Sequence, residues 1–127
     1  MKILIADDHD LLRDTLVAFL ENESDIQTAS ASTLDEALEA IDRDDSFDLV
    51  CGSGILHHLD LPAAMRELAR VLRPSGRAVF MEPLGHNPAI NAFRNRTPEL
   101  RTPDEHPLLG KDLKLCRRYF GSVEVKL

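Results

Sequence analysis

The chain lacks the features that mark membrane and secreted proteins. Its 127 residues include no stretch approaching the roughly 18 consecutive apolar residues that a membrane-spanning helix requires. The apolar residues at the start give way to Asp7 and Asp8, where a signal peptide would continue apolar. We therefore expect a cytoplasmic protein that has no membrane partner.

Cysteine and positive charge are also scarce. Cys51 and Cys116 are too few and too far apart for a disulfide scaffold or a spaced metal motif, which predicts two reduced thiols. The chain has 15 basic and 22 acidic residues, a net charge of -7, whereas phosphate binding requires clustered Lys and Arg. We expect no nucleic-acid partner and no required partner of any kind. A chain of this length can bury a core without staples, so we expect one monomeric domain over 1–127.

Glycine and proline are absent from the first fifty residues. All 7 prolines and all 6 glycines follow Val50, and the charge changes at the same place. Up to Val50 there are 3 basic and 14 acidic residues, and after it 12 basic and 8 acidic. This asymmetry indicates a seam near residue 50, although chance produces similar asymmetry in many small domains.

The hydrophobic pattern predicts alternating strands and helices. Short apolar or alternating runs predict five strands, at 2–6, 26–30, 47–51, 77–81 and 122–127. Helical spacing of apolar residues predicts helices that begin near Asp10, Leu34 and Leu61, and a last helix at 113–120. The Pro-containing passage 82–107 is predicted to be irregular. The expected fold class is α/β, a three-layer α/β/α doubly wound sheet of five mainly parallel strands in the flavodoxin-like order 2-1-3-4-5.

The opening residues MKILIADDHDLLR, followed by TLDEAL at 33–38, resemble the first fifty residues of response-regulator receiver domains. In that family an acidic pair after the first strand helps to hold Mg²⁺, and an aspartate that ends the third strand accepts a phosphoryl group. The resemblance implies a weak divalent-cation site at Asp7 and Asp8. Ser53 stands at the acceptor position, so the acyl-phosphate chemistry is missing. The alternative is a solvated strand end with Asp10 capping the next helix.

Four later stretches occur together: FDLVCGSGILHHL, RELARVLRPSGR, EPLGHNP and TPELRTPDEHPL. They resemble the carboxyl-terminal half of the class I S-adenosylmethionine-dependent methyltransferases, which are Rossmann-like, over roughly 47–127. Those enzymes hold their cofactor with a Gly-rich loop after the first strand. Here Asp7, Asp8, His9 and Asp10 occupy that place. The resemblance therefore implies that S-adenosylmethionine is not bound.

Several residues match the methyltransferase site without completing it. The resemblance makes the following residues vestiges of that site: Gly52, Gly54, His57, His58 and Glu82. The alternative for the two histidines is a polar turn between a strand and a helix, with one ring facing solvent. Glu82 is a candidate functional carboxylate because it ends a strand of an open α/β sheet. The basic residues Arg94, Arg96 and Arg101 fit either a former substrate lid or a solvated loop.

Together the two resemblances predict a chimera, most simply an engineered one, of a receiver fragment (1–50) and a methyltransferase fragment (51–127). Each parental site would span the seam, so we expect no complete catalytic set and no enzyme activity. One alternative is a truncated methyltransferase with residual cofactor binding, and another is a degenerate receiver that acts by binding a partner. A further possibility is an accidental metal site, if the strand ends bring Asp7, Asp8, His57 and His58 together.

Overall fold

Four parallel strands form the sheet of this protein. The computed structural model describes residues 1–43, 46–100 and 105–126, and its strands lie in the order β2-β1-β3-β4. They are β1 (Lys2–Ala6), β2 (Gln27–Ala31), β3 (Phe47–Ser53) and β4 (Leu72–Met81). Adjacent strands pair in parallel, with Leu4 opposite Val50 and Val50 opposite Ala78. The predicted α/β class with a parallel sheet is confirmed.

The described residues form five α-helices between and after these strands. They are α1 (Asp10–Leu20), α2 (Leu34–Arg43), α3 (Leu61–Val71), α4 (Pro88–Arg96) and α5 (Gly110–Cys116). Two short 3₁₀ turns lie at Leu56–His58 and Pro98–Leu100. Asp60 caps α3 by accepting a hydrogen bond from the Ala63 amide at 2.8 Å. Among these helices, none has the length and apolar content needed to cross a bilayer.

The strand residues separate onto two faces of the sheet. Leu4 and Val50 pack with Val71 and with residues of α2 and α3, forming one buried cluster. Because side chains alternate along a strand, Ile3 and Ile5 face the opposite side and are also buried. Right-handed crossovers place α1 on that second side, since β1-to-β2 and β2-to-β3 run in opposite directions across the sheet.

The α1 side of the sheet is covered unevenly. Ile5 is buried at β1, but Val79, which shares its face two strands away on β4, is 58 % exposed. Met81 on the same face is 70 % exposed. Four large apolar side chains of α1 are exposed as well: Leu11, Leu12, Leu16 and Phe19. The core is therefore concentrated on the side of α2 and α3.

The fifth strand predicted at 122–127 is wrong for the described residues 122–126, which form no strand, and residue 127 lies outside the description. Tyr119, Phe120 and Val123 pack instead against the cluster that contains Leu61 and Met65 of α3. Tyr119, Phe120 and Val123 are thus partly buried in this cluster, whereas Val125 is exposed. The four strands keep their predicted relative order, but the five-stranded flavodoxin-like sheet is not formed.

Three further features differ from the predictions, namely an additional helix and the bounds of β4 and α5. The passage 82–107 contains α4, whose first turn is capped by Asn87 through hydrogen bonds from the amides of Ala89 and Ile90. Strand β4 begins at Leu72, five residues before its predicted start, and an irregularity between Phe47 and Leu49 on β3 absorbs the extra residues. The last helix, α5, begins and ends earlier than predicted.

Both cysteines are free thiols. Burial raises the pKa of Cys51, and the nearby Asp7 carboxylate raises it further. Burial also raises the pKa of Cys116. Both thiols are therefore protonated near neutral pH, which disfavours thiolate chemistry at either position.

Asp48 ties three strands together and should make stability depend on pH. It accepts hydrogen bonds from the Lys2 amide at 2.6 Å and from Arg73 at 2.8 Å. These bonds, that from Lys2 first, lower the pKa of Asp48 below its ordinary value. The stabilisation is complete above the unfolded pKa of about 3.9 and disappears as pH falls through the lower folded pKa.

We expect Asp48→Asn to lower the free energy of unfolding at pH 7. The difference from the wild type should become smaller as the pH falls toward 3, because the wild-type carboxylate then becomes protonated. Urea unfolding at several pH values measures this difference. Glu124→Gln, which removes an exposed carboxylate of the tail, is the control and should leave stability unchanged. A deficit for Asp48→Asn that stays constant between pH 7 and pH 3 would contradict the role of the carboxylate charge.

Candidate functional site

The carboxyl ends of β1, β3 and β4 meet at one edge of the sheet. Ala6 lies opposite Gly52, and Gly52 lies opposite Phe80. The Gly54 amide donates to the main-chain oxygen of Met81 at 2.8 Å, which holds the turn after β3 against the end of β4. This is the edge where open α/β sheets place their ligand sites, and it contains most of the residues predicted from the sequence.

Glu82 is the most heavily engaged of these residues. Its side chain is 5 % exposed, and its Oε1 accepts hydrogen bonds from the amides of Ile55 at 2.9 Å and Leu56 at 2.8 Å. Its Oε2 accepts from the His57 amide at 3.3 Å and lies 2.8 Å from His57 Nδ1. Both carboxylate oxygens are therefore used to hold the start of the 3₁₀ turn Leu56–His58. With four donors on one carboxylate, the contacts of Glu82 in this structure are those of a residue that stabilises the turn.

The two histidines of the turn have different surroundings. His57 is buried, and because its Nδ1 faces a carboxylate, that nitrogen is the one that carries the proton. Its main-chain oxygen accepts a hydrogen bond from the His106 amide at 2.9 Å. His58 is exposed, and its ring centroid lies 4.0 Å from that of His57. The turn thus buries the ring of His57 and leaves the ring of His58 exposed to solvent.

The two glycines have steric reasons for their positions. A Cβ atom at Gly52 would lie 2.6 Å from the main-chain oxygen of Ala6, which is too close for any side chain. Gly54 has φ +61°, in the left-handed region that favours glycine. Both glycines therefore allow β1, β3 and the following turn to approach closely.

Asp7, Asp8 and His9 form a second group after β1. Asp7 is 3 % exposed, and its Oδ1 accepts a hydrogen bond from the His9 amide at 2.8 Å. His9 Nδ1 lies 2.9 Å from Asp8 Oδ1 and 3.3 Å from Asp7 Oδ1. One ligand atom from each of the three residues lies within 4.8 Å of the others, close enough to hold a metal ion. Asp7 and Asp8 were predicted from the sequence as a cation site, whereas His9 was not.

The structure does not assemble the four-residue metal site. Within the described ranges, the only group of three or more metal-ligating side chains is Asp7, Asp8 and His9. His57 belongs instead to the contacts of Glu82. The expectation that Asp7, Asp8, His57 and His58 converge is therefore wrong, because the Glu82 carboxylate orients His57 toward β4.

The basic residues of the long passage have separate roles. Arg94 forms a mostly buried ion pair with Glu105, which ties α4 to the segment before Leu108. That segment also bridges back to the end of β4, where Gly85 donates to the Leu108 oxygen at 2.9 Å. Arg96 is exposed, and Arg101 lies outside the described residues. Arg94 is thus a structural cation.

The parallel sheet, its right-handed crossovers and the glycine turn at the strand ends define a Rossmann-like α/β protein. A family model for the methyltransferase domain matches residues 14–80, slightly more than half of the chain. The chain belongs to the methyltransferase domain family. No curated protein matches the chain significantly.

The matched range has two consequences for the site. It runs continuously across residue 50 and includes β2 and α2, which the sequence placed in the receiver-like segment. It begins inside α1, so it leaves out β1 and the loop Asp7–His9. The methyltransferase likeness thus starts after the loop in which methyltransferases carry their cofactor-binding glycines.

Replacing Glu82 with Gln should destabilise the fold. The amide of Gln keeps one acceptor oxygen, so donors that now bond to the second oxygen lose their partner inside the protein. Each buried donor without a partner costs about 1–3 kcal/mol. We expect Glu82→Gln to lower the free energy of unfolding, measured in urea, by about 2–4 kcal/mol.

Glu67→Gln provides the matched control for this change. Glu67 bonds to Arg70 at 2.8 Å on the half-exposed surface of α3, where an ion pair contributes about 0–1 kcal/mol. Equal losses of stability in Glu82→Gln and Glu67→Gln would show that the four contacts of Glu82 do not stabilise the strand ends.

Proposed function

We propose that the chain is a non-catalytic member of the methyltransferase family, a chimeric α/β scaffold that joins a receiver-like segment to a methyltransferase-like one. The observation that carries this proposal is the state of Glu82, whose two oxygens both serve the 3₁₀ turn. On this proposal the Glu82 carboxylate, which directly follows β4, holds the turn and does not take part in proton transfer. Gly52, Gly54 and His57 also have structural reasons for their positions.

The loop after β1 supports the absence of cofactor binding. Its amides bond within the protein, that of Asp7 to the Ala31 oxygen at 3.1 Å and that of His9 to the Asp7 carboxylate. A ligand carboxylate would therefore meet few free amides, and it would meet the charges of Asp7 and Asp8. The residues present do not fit S-adenosylmethionine, whose carboxylate needs donors and not acceptors.

The join between the two segments is supported by the packing across it. Leu4 of the first segment and Val71 of the second belong to one buried cluster with Val50, which lies at the seam. Strand β1 pairs with β3 over four successive residue pairs without a register shift. The receiver likeness of residues 1–50 rests on the residues alone. Ser53, at the end of β3, offers no carboxylate for the receiver reaction.

The proposal predicts that S-adenosylmethionine does not bind. Amide NMR spectra of the isotope-labelled protein, recorded alone and with excess S-adenosylmethionine, should show dispersed signals that do not move. An active class I methyltransferase recorded under the same conditions is the positive control. Saturable shifts clustered at 52–59 and around Asp7 would contradict the proposal and favour a truncated methyltransferase that retains its cofactor.

A second proposed activity is weak binding of a divalent cation such as Mg²⁺ by Asp7 and Asp8. The observation that favours it is the approach of three ligand atoms in the Asp7, Asp8 and His9 group. Carboxylate oxygens are the ligands that Mg²⁺ prefers, and the exposed Asp8 leaves the group open to solvent.

Paramagnetic Mn²⁺ tests this cation site directly. We expect millimolar Mn²⁺ to broaden the amide signals of residues 7–10, and Asp8→Asn to remove most of that broadening. Asp14→Asn, which removes another exposed carboxylate one turn into α1, should leave the broadening in place. If the two substitutions had equal effects, the broadening would reflect a general attraction of Mn²⁺ to the acidic surface and not a specific site.

A further inference from the structure

A cavity of about 580 Å³ that is widely open to solvent lies between the start of α3 and one side of α5, and the basic residues that line it from α5 are exposed. Its volume is within the range of roughly 300–1,000 Å³ that is typical of small-molecule sites. None of the strand-end residues Asp7, Gly52, His57 or Glu82 lines it. The cavity is therefore a second candidate site, and it goes beyond the function proposed above.

The charge of this cavity is opposite to that of the chain. Lys111, Lys114 and Arg118 line it from α5 and the residues that directly follow that helix. Spacings of three and four residues place them on one side of this segment. The chain as a whole carries a net charge of -7, so a concentration of three cations in one cavity departs from the general surface.

Asp60 and Asp112 also line the cavity and offset part of its positive charge, but in the described part of the chain neither forms an ion pair with the three cations. Asp60 caps α3 through the Ala63 amide at 2.8 Å, and Asp112 accepts from the Leu109 amide at 2.8 Å at the start of α5. In the ranges that the structure describes, Lys111, Lys114 and Arg118 have no ion pair or hydrogen bond with another side chain. Their charges are therefore available to a ligand.

The remainder of the cavity wall is largely apolar. Leu59, Leu61 and Leu115 contribute to it, and Leu61 is buried. An apolar wall beside several cations suits a ligand that has an apolar body and a compact anionic group. Arg binds phosphate through two parallel hydrogen bonds, and a dianion can engage several cations at once.

We propose that this cavity binds a small organic phosphate monoester, with the phosphate held by Lys111, Lys114 and Arg118 and the organic group against the leucines. The phosphate is mostly dianionic above pH 7, because its second pKa is about 6. Phenyl phosphate is a suitable probe, because it combines the dianion with an apolar ring of a size that the cavity can hold.

An amide NMR titration of the full chain with phenyl phosphate at pH 7.5 and constant ionic strength tests the proposal. We expect saturable shifts at 59–62 and 111–118, and weaker binding of inorganic phosphate and of neutral benzyl alcohol. Absence of saturable shifts at these residues would overturn the proposal. Binding of inorganic phosphate as tight as that of phenyl phosphate would also overturn it, because the apolar wall would then contribute nothing.

Charge variants with a neighbouring control complete the test. Arg118→Gln and Lys114→Gln should each weaken the binding of phenyl phosphate about tenfold, which corresponds to about 1.4 kcal/mol. Arg117→Gln removes the same charge from an adjacent exposed residue that does not line the cavity, and it should leave the dissociation constant unchanged. An equal loss in Arg117→Gln would show attraction by net charge only. Because two lining residues are tested separately, misfolding of one variant still leaves a decisive result.

Discussion

The contacts of Glu82 hold together the carboxyl ends of β3 and β4. Beyond Gly54, which turns the chain through a left-handed conformation, three successive amides point at the Glu82 carboxylate. A buried charge is costly unless donors replace its water, and the turn supplies these donors. In return the carboxylate satisfies amides at the start of a 3₁₀ turn, which have no partner within that turn. The position of His57 follows from this exchange.

The same contacts underlie the proposal that this methyltransferase-family fold does not carry out the family's chemistry. Fold and function are separable, because a reaction depends on a few side chains at the strand ends and the fold depends on the core. Here the core is continuous from Leu4 to Val71, while Glu82 serves structure and the loop after β1 carries carboxylates. The family match, which begins after that loop, agrees with a retained framework. The proposed phosphate cavity lies apart from these strand ends and uses different residues.

The first four strands could be predicted because each contains a short apolar or alternating run, and β1 has the predicted bounds. The alternating residues at 122–127 also predicted a strand. Tyr119, Phe120 and Val123 pack instead on the cluster that includes α3, and such tertiary packing cannot be predicted from the periodicity of the sequence. Helix α4 was not predicted from the sequence. Asn87 and Pro88 are a typical helix start, but Ile90 and Phe93 are exposed and do not form an apolar stripe. Glu82 and Gly52 were identified as site residues from the resemblance. The contact of Glu82 with an amide 27 residues away could not be predicted from spacing.

Amide hydrogen exchange of the native protein tests the role of Glu82 most directly. If the carboxylate anchors the strand ends, the amides of Ile55, Leu56 and His57 should be strongly protected and should exchange only when the core amides of Leu4 and Val50 do. Exchange of these three amides at the rates of an open loop, while Leu4 and Val50 stay protected, would contradict the account. Glu82 would then be free at the strand end and available for chemistry.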